Sequence, residues 1–234
     1  MKFRLFCFGS HLFISLLIAV LSLYLVFECW YPNPLDKALG VASIFLLLLC
    51  IDIIVGLLLT LVVAKKDKKT LKTDLLTIGI IQVFALVYGL YIVAQGRPVW
   101  IIYDSGRFEL VQAYEAVIQS EERPSPSAFR LGLAGPVWGN VTDQLPDSIQ
   151  AGDAYYRAEF LESYDENVAA KVGAYSLPLS VLNRFNDPNK VNEILKRHPE
   201  ADSFVPMAAK NKALVVLVNK EIGRPIEIVD LSPW

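Results

Sequence analysis

Steps of four along one long apolar run place Asp52, Gly56 and Thr60 on a single helical face. A carboxylate in that setting can move protons or ions, receive a donor group from a partner, or tie helices together. Deep in hydrocarbon an acidic group costs on the order of 2.5–3.5 kcal/mol on insertion scales, so something must offset it. Gly56 and Thr60 form a small-xxx-small pair, which lets helix backbones approach closely and turns the acid toward a neighbour. The other apolar runs carry matching faces. Gln82, Ala85 and Gly89 recur at steps of three and four, as do Ser15, Ala19 and Ser22. Gln82 falls within a turn of the depth of Asp52. The spacing therefore predicts that Asp52 is protonated or hydrogen-bonded to Gln82, or to a serine of the first run, inside a three-helix bundle. Polar glue between helices is the plainer use of these residues, and reception of a helix from another protein is the sharper one. A proton pathway is disfavoured, because relays use several acids and this depth holds a single one.

The remaining reactive side chains are sparse. Cys7, Cys29 and Cys50 lie in the apolar part at different depths with no CxxC spacing, and the histidines are His11 and His198 alone. Neither a disulfide framework nor a zinc or Cys/His site is expected. His198 precedes a proline at a charged helix end and reads as a surface cap. Asp104, Asp153, Asp165 and Glu166 have no histidine or glycine-rich phosphate loop to work with. Gly132, Gly135 and Gly139 alternate with bulky residues, a pattern of strand bends rather than of a nucleotide cradle. Asn140-Val-Thr matches a glycosylation sequon, a three-residue match that chance supplies often. No catalytic residue, metal site or cofactor is predicted, and nothing suggests nucleic acid.

The elements that position these residues follow from composition. Of 234 residues, 54% are hydrophobic and mean hydropathy is +0.41, above the range of soluble domains and toward the membrane class. The apolar residues concentrate in three runs, His11–Trp30, Ala42–Val63 and Leu75–Ala94. Each is close to the ~20 residues that cross a hydrocarbon core. The first is too long for a signal-peptide core, and ECWYPNP after it offers no small-x-small cleavage site, so it reads as a retained anchor. Lys2 and Arg4 precede it, while Lys65, Lys66, Lys68, Lys69 and Lys72 crowd the loop between the second and third runs. That bias predicts a cytoplasmic N-terminus and an external C-terminal part. Trp30, Tyr31, Tyr88, Tyr91 and Trp100 gather near the predicted outer boundary, as an interfacial belt does. The lysine loop also attracts anionic lipid, at about 1 kcal/mol per basic residue.

Two parts are thus predicted: a three-span membrane module over residues 1–96 and a small extracytoplasmic α+β domain over 97–234. The second part carries 14 basic and 19 acidic residues, a net charge of −5. RPVWIIYD and RFELV read as strands, SEERPSPS as an exposed loop, and FRLGLAGPVWGNV as an extended segment punctuated by glycine. YDENVAAKVGAY is helical, and PLSVLNRF makes a short apolar-faced turn or two. DPNKVNEILKRHP opens with Asp187 as N-cap and Pro188 at the first helical position. The last segment, ALVVLVN then KEIGR then PIEIVDL, is a hairpin signal.

WYPNPLDKALGV, IFLLLLCIDIIVGLLLTLVV and LVYGLYIVAQGRPVW, with RFELV and the closing IVDLSPW, resemble the type IV pilin accessory proteins of the TfpX/TfpZ family over essentially the whole chain. Two positions depart from that family's pattern: Leu57 stands where a proline commonly follows the glycine of the second span, and Gly106 where an acid commonly precedes Arg-Phe. The resemblance implies a bacterial inner-membrane protein, multi-pass with a periplasmic domain, that assists type IV pilin without catalysing a reaction. A membrane-anchored extracytoplasmic ligand-binding or sensory subunit is the alternative; a membrane enzyme lacks the constellation it would need.

Overall fold

The computed structural model describes residues 2–66, 68–117, 129, 131–132, 135–146, 149 and 151–234. The chain forms two compact units: Met1–Cys29 with Val41–Gln95, and Trp30–Gly40 with Gly96–Trp234. The segment between the first two apolar runs, Trp30–Gly40, groups with the C-terminal part.

Helix α1 (Lys2–Tyr24) continues through a π-helical stretch, Leu25–Trp30; α2 (Leu35–Leu39) is a short helix; α3 (Val41–Val63) and α4 (Leu71–Gln95) are long. Among the described residues three segments, Lys2–Trp30, Val41–Val63 and Leu71–Gln95, are long and apolar enough to cross a bilayer. α1 starts well before His11 because Lys2 and Arg4 are good helix formers and no proline interrupts them. α3 runs unbroken past Leu57, as the absence of proline allows. Within this first unit α3 is central, packing on α1 along one side and α4 along the other.

The second unit is α+β. Its strands are β1 (Pro98–Asp104), β2 (Arg107–Gln112), β3 (Val137–Val141), β4 (Leu161–Ser163), β5 (Leu177–Pro178), β6 (Ser203–Ala208), β7 (Leu214–Val218) and β8 (Pro225–Val229). They join in the order β4-β3-β1-β2-β6-β7-β8, with β5 added beside β6. Its helices are α5 (Ala151–Ala154), α6 (Glu166–Tyr175) and α7 (Pro188–Arg197), and PLSVLNRF supplies a 3-10 turn, Leu179–Arg184. β1 and β2 are joined by Ser105 and Gly106, whose φ angles of 48° and 88° suit the two-residue turn of a twisted hairpin. A side chain at Gly106 would be strained there, which accounts for glycine where the family pattern has an acid. SEERPSPS lies outside the described residues.

β1 is buried on both faces, so it reads as a continuous apolar run. Ile101 and Tyr103 meet Phe108, Val205, Met207 and the α6 residues Val168 and Val172, whereas Trp100 and Ile102 meet Val111 and Phe129. The predicted hairpin is β7–β8. β6 is a strand the sequence hides, because Pro206 sits inside it and proline argues against an interior strand. Opposite β7, β6 has partners at Ser203, Phe204, Met207 and Ala208, leaving Pro206 beside a gap that tolerates the missing N–H.

Leu35 and Ala38 of α2 enter the same apolar cluster as Ile101 and Val205. Backbone N–H groups of Asn211 and Lys212 donate to the Ala38 carbonyl at 3.0 and 3.1 Å, and Asn211 Nδ2 donates to Lys37 O at 3.1 Å. Gly40 ends α2 at φ 69°, close against the Asn211 side chain. The outer end is pinned by charge: Lys37 Nζ lies 3.1 Å from Asp230 Oδ2 and Lys190 Nζ 3.9 Å from it, and Lys212 bonds Asp230 Oδ1.

Since Leu35 is 2% exposed, Leu35→Ala is expected to destabilise the second unit by about 2–5 kcal/mol. Thermal unfolding in detergent reads this, and a shift equal to that of an exposed control such as Ile222→Ala would remove Leu35 from the core. Burial alone would raise the pKa of Asp230, but hydrogen bonds from Lys212 and Lys37 and the charge of Lys190 hold it below the usual carboxylate range. A depressed folded-state pKa gives stability that is complete above the unfolded value of about 4 and lost as pH falls through the folded one. Asp230→Asn is therefore expected to narrow the difference in Tm between about pH 6 and about pH 3 relative to the parent protein.

Candidate functional site

The polar residues of the apolar helices are brought together at the middle of the first unit. On α3, Gly56 and Thr60 are buried and Asp52 is half-buried. Gln82 of α4 reaches α3, but not by way of the carboxylate: its Nε2 donates to the backbone carbonyl of Asp52 at 3.0 Å. In a regular helix that carbonyl already accepts from the N–H of Gly56, so Gln82 occupies its second lone pair. Gly56 makes the approach possible, because a Cβ there would collide with the Gln82 amide. The predicted pairing of Gln82 with the Asp52 side chain is thus replaced by a bond to its main chain. Helical side chains lean toward the N-terminus, which carries the carboxylate away from the gap at Gly56.

α1 joins α3 through contacts that the spacing did not reveal. His11 Nδ1 lies 2.6 Å from Thr60 Oγ1, and Arg4 Nε donates to Ala64 O at 2.9 Å, satisfying a carbonyl just past the end of α3. Farther along, Phe27 and Phe45 meet edge-to-face at 6.1 Å. These pairs run in opposite order along the two helices, so a search for polar residues at matched depth in antiparallel spans would have found His11 with Thr60. Ser22 is buried on the packed face of α1 beside Ala19, and Ser15 is half-buried. Gly89 is buried, and a Cβ there would strike Leu48 of α3. Ala85 is exposed, off the Ile78, Leu86, Gly89 and Val93 stripe that α4 buries.

Asp52 borders two spaces. One is a cavity of about 110 Å³ walled by all three long helices, with His11, Ser15, Ala19, Gln82 and Leu86 among its lining. The other is an open apolar groove of about 360 Å³ along α3 and α4, formed by Ile44, Leu47, Leu48, Ile51 and Ala85. Among the described residues no side chain hydrogen-bonds the Asp52 carboxylate. The arrangement is an open apolar groove with one acidic group on its border.

Elsewhere the carboxylates do structural work. Asp165 caps α6 by accepting from Val168 N at 2.9 Å, and Asp187 caps α7 through Asn189 N at 2.8 Å. His198 ends α7 with its N–H on Leu195 O, the cap position expected of it. Gly139 lies where a side chain would press on the Glu162 carbonyl of β4 at 2.7 Å, and Gly132 O accepts from Arg97 Nη2 at 2.8 Å. The three cysteines are free, and no cluster of metal-binding side chains occurs among the described residues.

Residues 1–40 match the family model described as Fimbrial assembly protein FimB. Over 232 residues, 92% of this chain and 90% of the relative, the chain is 33% identical to the fimbrial assembly protein of serogroup E1 from Dichelobacter nodosus. This chain belongs to the fimbrial assembly protein family. The serogroup C1 and C2 protein of the same organism is 35% identical over 98 residues, 41% of this chain and 75% of that one. The serogroup I protein is 30% identical over 120 residues, half of this chain and 47% of that protein's length. No solved structure matches the chain. As a fimbrial assembly protein it has a role in fimbrial biogenesis, and three helices fit for a membrane accompany that role.

Gln82→Leu is expected to cost about 0.6 kcal/mol, the average for one hydrogen bond between spanning helices. Gly56→Leu is expected to cost more, by expelling Gln82 and separating α3 from α4. Because the larger side chain already removes the Gln82 contact, the double variant should be no less stable than Gly56→Leu alone. Detergent unfolding measures all three, and additive losses would contradict the shared contact.

Proposed function

We propose that this fimbrial assembly protein is a non-catalytic inner-membrane accessory of the TfpX/TfpZ kind, which assists type IV pilin by holding its hydrophobic helix before assembly. The N-terminus lies in the cytoplasm, the second unit faces the periplasm, and lipid surrounds α1, α3 and α4. Large apolar side chains on the outside of these helices, such as Leu17, Leu21, Ile54, Val62 and Phe84, support the lipid setting. At one end Lys2, Arg4, Lys65 and Lys66 line a common space, as the cytoplasmic face of a membrane protein would.

The observation that carries the reading is the groove beside Asp52. An acid without a hydrogen-bond partner at mid-depth in hydrocarbon is costly, and here, among the described residues, it has none and borders an apolar channel that no described helix fills. A helix seated between Ile44, Ile51 and Ala85 would cover the channel and bring a donor to the carboxylate. That the relatives are named fimbrial assembly proteins supports reading that helix as one of the pilus subunit.

Single cysteines at Leu47, Ile51 and Ala85, in a protein whose Cys7, Cys29 and Cys50 have been replaced, are expected to crosslink pilin in membranes. Cysteines at the internal positions Leu49 and Gly56 are expected to give none. Crosslinks confined to the internal pair, or absent throughout while pili assemble normally, would sink the proposal.

A further inference from the structure

Where α1 begins and α3 ends, basic side chains from both helices converge within the first unit. Lys65 and Lys66, with Lys2, Phe3 and Arg4, line an open space of about 710 Å³. The next lysine of the connection to α4 is used differently, since Lys68 is held by Asp74 at 2.6 Å. Arg4 fixes one wall of the space. Its Nε donates to the Ala64 carbonyl at 2.9 Å, so the guanidinium is anchored beside Lys65 in the chain. Among the described residues the other N–H donors of that guanidinium have no hydrogen-bond partner, and no carboxylate pairs with any of the four cations.

Cations gathered around one space repel one another, and an anion seated among them relieves that cost. With Asp67 counted, residues 64–72 still carry five lysines against one aspartate, a net charge of +4. The donors set the chemistry of the anion: an arginine fork suits two oxygens of a phosphate, and lysine ammonium groups add point charges around it. A free phosphate ion would answer the charge but not the surroundings. Phe3, 38% exposed, lines the space, and one turn farther into the apolar segments Phe6 and Val62 are 72% and 68% exposed. The cationic surface thus continues into an apolar one, which calls for an occupant with an anionic head and a hydrocarbon tail. We propose that Lys2, Arg4, Lys65 and Lys66 bind the phosphodiester headgroup of an anionic phospholipid, with its acyl chains against the apolar ends of α1 and α3. The proposal rests on the membrane reading of these helices and is independent of the pilin contact. It differs from diffuse attraction to an anionic leaflet, which would not distinguish Lys66 from Lys69.

The test is native mass spectrometry of the full chain in detergent, titrated with phosphatidylglycerol, with phosphatidylcholine and inorganic phosphate for comparison. Phosphatidylglycerol is expected to bind saturably and about tenfold more tightly than phosphatidylcholine, and millimolar phosphate should not displace it. Lys66→Gln, at an exposed side chain with no described protein partner, should leave the Tm unchanged and weaken phosphatidylglycerol about tenfold, the loss of one charge-assisted hydrogen bond. Lys69→Gln removes the same charge from outside the lining and should alter binding by less than about twofold, as a screened surface charge does. Arg4→Lys keeps the charge without the planar fork, so it too should weaken binding. Equal affinity for the two lipids, equal losses from Lys66→Gln and Lys69→Gln, undiminished binding by Arg4→Lys, or displacement by phosphate would each overturn the site. Failure of the membrane reading would show itself differently, as a chain that stays in solution without detergent. None of these results would alter the crosslinks expected to pilin.

Discussion

Apolar helices in an apolar medium gain little by clustering, because lipid tails satisfy a leucine as well as another leucine does. Cohesion must then come from close packing and a few polar bonds. The contact of Gln82 with the main chain at Asp52, admitted by the absent side chain of Gly56, is such a bond. Among the described residues the most apolar windows of these helices are only 17%, 22% and 28% buried. His11 with Thr60 and Arg4 with Ala64 hold the other helix pair at one end. Among the described residues these bonds leave the Asp52 carboxylate without a hydrogen bond, beside an open groove.

Asp52 meets its surroundings in two places. Its carbonyl ties α4 to α3, while its side chain borders both the cavity between the three helices and the open groove along α3 and α4. On the proposed reading, that groove is the face that receives a helix from outside.

The second unit solves a different problem. In water a sheet buried on both faces needs cover, and part of that cover comes from α2, far away in the chain. Leu35 and Ala38 fill the core while Lys37 shares Asp230 with Lys190 and Lys212. Among the described residues the cores close around Trp100, Phe108, Phe204 and Leu217.

What the sequence determined by itself is local. The three apolar runs, the caps at Asp187 and His198, the β7–β8 hairpin and the departure at Leu57 were all legible, because hydrophobic periodicity, proline and capping act within a few residues. In the structure Gly56 meets Gln82, Gly89 meets Leu48 and Thr60 meets His11. Tertiary structure alone decided which atoms meet, since Gln82 and Asp52 are 30 residues apart, His11 and Thr60 are 49 apart, and Asn211 and Lys37 are 174 apart. It also decided that Ala85 faces outward, that the 30–40 segment joins the C-terminal core, and that Pro206 sits in a strand. At those distances along the chain the outcome depends on shape and on competition among many partners, and no periodicity records it.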